Sequence, residues 1–260
     1  MHPGDWRLIN GDEIEAIPAA LGRARGNATA RALARSDWLI RRKADGRFLA
    51  VSREDVVTEL QRNALTTDLR AELAALAAAD AAGESLRPLS GLLERLHALG
   101  LDEVEYGETT GLSLVAEPCV LSYAGRDRYQ RPLWLTHAAA RAWQHMRASA
   151  LDDGVVLEAI SGYRSHAYQL GIFRRKLARG QTVAEILAVN AAPGYSEHHS
   201  GAAMDIGTTG EPAAEESFER TAAFAWLAEH AGEFGFMMSY PRDNAHGIVY
   251  EPWHWRWQEA

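Results

Sequence analysis

Residues able to do chemistry gather in two stretches of the chain. The first is Gly194-Tyr195-Ser196-Glu197-His198-His199-Ser200-Gly201-Ala202-Ala203-Met204-Asp205, and the second is Tyr250-Glu251-Pro252-Trp253-His254-Trp255-Arg256-Trp257. Between them they offer His198, Asp205 and His254, with Glu251 three residues before His254. Two imidazole nitrogens and one carboxylate oxygen, with a fourth position open, suit a catalytic Zn2+ ion. Such an ion lowers the pKa of its bound water to about 7, and a nearby carboxylate can then take the proton. The chemistry expected is hydrolysis by metal-activated water, with one Zn2+ per chain and Glu251 as base. From position alone, Glu251 reads equally well as a surface glutamate.

Side chains alternate between the two faces of a strand. On a strand through Trp253-His254-Trp255-Arg256-Trp257 the three indoles share one face, which reads as core, and His254 and Arg256 share the other. Along 202–206, Met204 and Ile206 pack inward, so Asp205 emerges on the opposite face beside Ala203. Gly201 permits a tight turn that returns His198 toward Asp205. His199 cannot easily aim at the same ion as His198 and reads as a neighbouring, supporting side chain. Arg164 follows the apolar stretch 155–160, at the end of an expected strand. A guanidinium near the ion would stabilise charge on the scissile oxygen of an amide, by about 3 kcal/mol on the scale of an oxyanion-hole donor. A lone arginine is more commonly a surface ion-pair partner. Ser196 makes a poor nucleophile, because its setting lacks the second glycine of G-x-S-x-G and His198 is claimed by the metal.

The elements that must hold these residues follow from pattern. Residues 12–36 read as helical with a break near Gly26-Asn27, and 37–51 as a β-hairpin around Asp45-Gly46. Ser52 reads as the cap of a further helix, and leucine spacing predicts helices over 67–82 and 86–99, stopped by Gly100. Residues 1–110 are therefore expected to be a mostly helical N-terminal region in which nothing converges on chemistry. Residues 111–260 are expected to form the zinc peptidase domain. Its strands are placed at 119–123, 155–160, 202–206, 234–240 and 253–257. Its helices are placed from the Thr136 cap to about 150, and at 166–179, 182–189 and 217–231. Residues 103–106 also read as a strand, and 124–128 as a loop. Strands and helices interleave without a βαβ rhythm, so the expected class is α+β, a small, mainly antiparallel sheet flanked by helices.

The length, 260 residues, suits one large domain or a domain with an appendage. Apolar residues make up 47% and charged residues 24%, as in an ordinary globular chain. A net charge of −8 with no basic stripe argues against a nucleic-acid partner and against a metallonuclease. Cys119 is the single cysteine, so no intrachain disulfide forms; it reads as a buried, inert thiol. The longest apolar runs fall short of a membrane span. The N-terminal residues lack the charged and apolar regions of a signal peptide, which reads as cytoplasmic, or as periplasmic if a signal has been removed. No feature specifies an oligomeric state.

These residues together resemble the VanY-type zinc D-alanyl-D-alanine carboxypeptidases. Ser196, His198, Gly201, Ala203 and Asp205 match the family's S-x-H-x-x-G-x-A-x-D signature, and Glu251-Pro252-Trp253-His254 matches its E-x-W-H element. Ser161-Gly162-Tyr163-Arg164-Ser165 with Gln169 matches its S-G-Y-R-S and later glutamine. The resemblance covers about 130–257. It implies His198, Asp205 and His254 as zinc ligands, Glu251 as general base, Arg164 as oxyanion stabiliser, and Ser196 and Gln169 as contacts to the substrate's terminal residue. It implies the fold shared with lysostaphin-type peptidases and the hedgehog signalling domain, and a peptidoglycan-derived peptide as substrate. Many members carry R-Y-P before the final strand. This chain has Ser239-Tyr240-Pro241, a departure that bears on specificity. An L,D-carboxypeptidase, a dipeptidase, an endopeptidase or a non-catalytic zinc-containing binding module of the same fold are the alternatives.

Overall fold

A computed structural model of the chain describes residues 6–82, 85–187 and 190–259. Its contacts group into two units, Met1–Arg87 with Pro118–Tyr123, and Pro88–Glu117 with Ala124–Ala260. The first unit holds β1 (Arg7–Asn10), β2 (Ile14–Pro18), α1 (Asn27–Leu33), β3 (Trp38–Arg42), β4 (Phe48–Arg53), β5 (Val56–Glu59) and α2 (Thr67–Ala82). Its strands are antiparallel in the order β5-β4-β3-β2-β1, and the start of β6 (Val120–Arg126) pairs with β1. Leu69, Leu73 and Leu76 of α2 cover Ile9, Ile14, Ala16, Ile40, Leu49 and Ala50.

The expectation of a mostly helical N-terminal region is corrected here, because the core of this unit is a sheet. Residues 12–36 contain β2, a 3-10 turn and only the short α1. All five residues of β2 are buried, so no alternating pattern marks the strand and pairing on both edges overrides its helix-forming composition. Ser52 lies inside β4 rather than capping a helix. Glu54 and Asp55 take left-handed conformations (φ 48° and 64°) and turn the chain into β5, as in a tight hairpin.

The second unit holds α3 (Ser90–His97), α4 (Glu103–Thr110), β7 (Pro132–Leu135), α5 (His137–Asp152), β8 (Glu158–Ser161), α6 (His166–Leu177), α7 (Val183–Leu187), β9 (Ala203–Gly207), α8 (Ala222–His230), β10 (Phe236–Met238) and β11 (His254–Trp257). Residues 103–106, expected as a strand, open α4, because Asp102 accepts hydrogen bonds from the Val104 and Glu105 amides and caps it. The expected loop 124–128 is instead the end of β6 followed by a turn in which Asp127 Oδ1 accepts from Tyr129 and Arg131. The expected helix 217–231 is split where Thr221 caps α8. Residues 188 and 189 of the expected helix 182–189 lie outside the described residues.

The sheet that matters for chemistry is four-stranded and antiparallel, in the order β10-β11-β9-β8. One face carries Ala159, Met204, Ile206, Phe236 and Trp255. They pack against Trp143 and Met146 of α5 and Trp226 and Leu227 of α8. This is the α+β arrangement the spacing predicts. No helix among the described residues is long and apolar enough to cross a membrane.

Candidate metal centre

With Met204, Ile206 and Trp255 committed to the core, alternation turns Asp205 and His254 to the opposite face. The register sets His254 directly across from Asp205, and a bulge between Ala159 and Ser161 sets Ser161 across from it on the other side. His198 comes from the 3-10 turn Glu197–Ser200. Gly201 ends that turn in a left-handed conformation (φ 67°), the tight return the sequence requires.

His198 Nε2 lies 3.3 Å and His254 Nδ1 3.2 Å from Asp205 Oδ1, and all three side chains are buried. Ligand atoms of a tetrahedral zinc with bonds of about 2.0–2.1 Å stand roughly 3.3 Å apart. His198 Nδ1 donates to the Gly162 carbonyl (2.8 Å) and His254 Nε2 donates to Glu197 Oε2 (2.9 Å). In the neutral rings this leaves the other two nitrogens with lone pairs facing one carboxylate oxygen. Three converging lone pairs require a cation or a proton among them, and the donor set fits a divalent metal. Burial pulls the His254 pKa down, but hydrogen bonds and charge from Asp205 and Glu197 outweigh it and bring it up to about 9. Burial alone would raise the pKa of Asp205, yet the two histidines hold it well below the usual carboxylate range.

Around this centre sit the other expected residues. Glu251 Oε2 is 3.9 Å from His254 Nδ1. Burial is the main cause that pushes its pKa up to about 7, with His254 opposing and Asp205 adding. Arg164 Nη2 stands 3.9 Å from Asp205 Oδ2, its Nη1 donates to Gln169 Oε1 (3.4 Å), and its amide donates to the His198 carbonyl (3.2 Å). Gln169 is 1% exposed, and its Nε2 donates to the Ala191 carbonyl, so it sits against Arg164 inside the fold. Ser196 is buried at the start of the turn that carries His198.

Four residues outside the expected set, Ser161, Glu197, Ser239 and Arg256, complete the arrangement. Ser161 Oγ donates to Asp205 Oδ2 (2.5 Å). Glu197 Oε2 accepts from His254 and from Ser239 Oγ (2.6 Å), and its Oε1 accepts from Arg256 Nη1 (3.0 Å). Ser239, at the departure from R-Y-P, thus faces Glu197, whose charge is balanced by Arg256. The Glu197-His198 adjacency and the shared face of His254 and Arg256 were the available signals, since a metal-bound histidine needs an acceptor for its second N–H. His97, Asp102 and Glu103 form a second group of possible ligands. They are exposed or half-buried, Asp102 already caps α4, and Glu103 binds His97.

A buried site of two histidines and one carboxylate, with a second carboxylate and an arginine beside it, is the constellation of a metal-dependent hydrolase. The family model "VanY: D-alanyl-D-alanine carboxypeptidase" matches residues 132–260. A D-alanyl-D-alanine carboxypeptidase of Enterococcus faecalis is 36% identical over 124 residues, 44% of this chain and 44% of that protein. The bifunctional D-Ala-D-Ala dipeptidase and D-Ala-D-Ala carboxypeptidase VanXYC of Enterococcus gallinarum is 30% identical over 141 residues, 52% of this chain and 70% of that protein. A solved LdcB LD-carboxypeptidase shares 31% identity, with 51% of this chain and 64% of that chain covered and a TM-score of 0.48. The chain belongs to the VanY family of D-alanyl-D-alanine carboxypeptidases. It spans less than half the length of the first curated relatives it matches.

Proposed function

We propose that the chain is a zinc-dependent carboxypeptidase that hydrolyses the terminal D-alanyl-D-alanine bond of peptidoglycan-derived peptides. The observation that carries this reading is the meeting of His198, Asp205 and His254 around one point, with Glu251 and Arg164 beside it. His198 Nε2, Asp205 Oδ1 and His254 Nδ1 would hold the ion, which when bound polarises the scissile carbonyl and acidifies water. Glu251 takes the proton of the attacking water and returns it to the leaving amine. Arg164 stabilises the charge that gathers on the carbonyl oxygen. Ser196 contacts the terminal residue, and Gln169 keeps Arg164 in place.

The test is incubation of the chain with a muramyl pentapeptide and weighing of the products. Release of a single D-alanine, abolished by chelation and reduced about 10²–10⁴-fold by Glu251→Ala, supports the reading. Full activity after exhaustive chelation overturns it. The Ser239-Tyr240-Pro241 departure bears on specificity, and the second reading is an L,D-carboxypeptidase; loss of D-alanine from a tetrapeptide but not from a pentapeptide would select it. A non-catalytic binding module has less support, because such a module has no use for Glu251 and Arg164 at the same centre.

A further inference from the structure

We propose that His199 is a positioning residue that fixes the span between the two substrate-facing arms of the site, Arg164 and the turn carrying Ser196. The proposal rests on the hydrolytic reading above. His199 adjoins His198, yet its ring serves different partners. Its Nδ1 donates to the Arg164 carbonyl (2.5 Å), and its Nε2 accepts from the Gly194 amide (3.1 Å). One nitrogen donates and the other accepts, so the bonding specifies a neutral ring protonated on Nδ1. The ring is 0% exposed. A single rigid imidazole therefore joins two backbone segments that are far apart in sequence.

The Gly194 end of this bridge and the ring itself are both held in place. The Gly194 turn is pressed so closely on Leu92 that a Cβ there would clash with its Cδ2, and the Gly194 carbonyl accepts from the Val115 amide (2.7 Å). His166 packs edge-on against the His199 ring at 4.4 Å, and its own Nε2 donates to the Val115 carbonyl (2.8 Å). On the proposed reading Arg164 meets the scissile oxygen and Ser196 the terminal residue. Those groups lie one residue apart on the substrate, so the backbone distance between Arg164 and the Ser196 turn selects which bond is presented. Replacing the ring by a group without a donor and an acceptor leaves a carbonyl and an amide unpaired inside the fold and frees both arms.

The test uses the full chain loaded with zinc. His199→Phe keeps the ring shape and loses both hydrogen bonds, whereas His199→Gln keeps one donor and one acceptor. His199→Phe is expected to lower kcat/KM on the D-alanyl peptide about 10²-fold, the cost of a misplacement near 1 Å, while retaining bound zinc. His199→Gln recovers most of that loss. In an Arg164→Ala background the same substitution costs less than about threefold, because residues that act as a unit are not additive. An equal cost in both backgrounds, or a glutamine variant no better than phenylalanine, overturns the proposal. Nitrogen-15 spectra of histidine-labelled protein give a reading independent of activity and of variant folding. A neutral Nδ1–H ring at His199 with a slowly exchanging proton supports the bridge, and an Nε2–H ring overturns it. If the wild-type chain cleaves no D-alanyl or related peptide, the hydrolytic reading fails while the spectra still decide the bridge.

Discussion

Asp205 uses both carboxylate oxygens at once, Oδ1 toward two imidazoles and Oδ2 toward Ser161. Asp205→Asn removes the one negative charge among the three converging donors, and the metal content left after zinc loading and dialysis is expected to fall to near zero. Glu197 acts one step out, through the His254 N–H. Glu197→Gln is expected to lower metal affinity by about 10–100-fold without abolishing binding, measured by competition with a chromogenic chelator. The same carboxylate links stability to pH. Burial alone would raise its pKa, but His254, Ser239 and Arg256 bring it down to about 2 from 4.5. A carboxylate whose folded pKa is depressed stabilises the fold above its ordinary pKa, and that stabilisation is lost as pH falls through the folded value. In chelated protein the urea-midpoint gap between wild type and Glu197→Gln is therefore expected to narrow steadily as pH falls below 4.5 toward 2.

At the scale of elements, the site depends on how β8 ends. A Cβ on Gly162 would meet Leu133 Cδ1 at 2.8 Å and the Trp134 carbonyl at 2.9 Å. The Gly162 carbonyl is also what orients His198. Gly162→Ala is therefore expected to cost about 1–3 kcal/mol by overpacking, read from urea unfolding, and to weaken metal binding in the same variant. The strands that carry Asp205 and His254 were legible because each places apolar residues at alternate positions beside a polar group: Met204 and Ile206 around Asp205, Trp253 and Trp255 around His254. The strand β2 was not legible, since both its faces are buried and periodicity vanishes. The helix α4 was misread because its cap, Asp102, outweighs the strand-like pair Val104 and Tyr106.

For the whole molecule, the division into two units makes a calorimetric prediction. Leu96 is fully buried among Leu92, Ala192 and Tyr195 in the unit that holds His198, Asp205 and His254, whereas Leu76 is buried in the other. Leu96→Ala is expected to lower the transition that chelation also lowers, by about 2–5 kcal/mol, and Leu76→Ala to lower a transition that chelation leaves in place. A single transition moved equally by both variants would contradict this division. The expected boundary at residue 110 misses that residues 88–117 group with residues 124–260. Leu89, Leu93, Tyr106, Leu112 and Leu114 cover Ala192 and Tyr195, just before the turn that carries His198. Leucine spacing shows that such a stretch has an apolar face; it carries no information about which partner covers it.

The amino-acid order alone determined the donor set, the strand faces that present it and the tight turn at Gly201, because each follows from local alternation, ligand chemistry or backbone sterics within a few residues. Tertiary structure decided the rest. It alone joined Glu197 to His254 and Arg256, set Ser161 across from Asp205 through a bulge, turned Gln169 onto Arg164, and made His199 a bridge between two backbones. Those are pairings over long sequence separations, governed by which surfaces happen to pack together; local pattern, such as the Glu197-His198 adjacency, marks a candidate and does not name its partner.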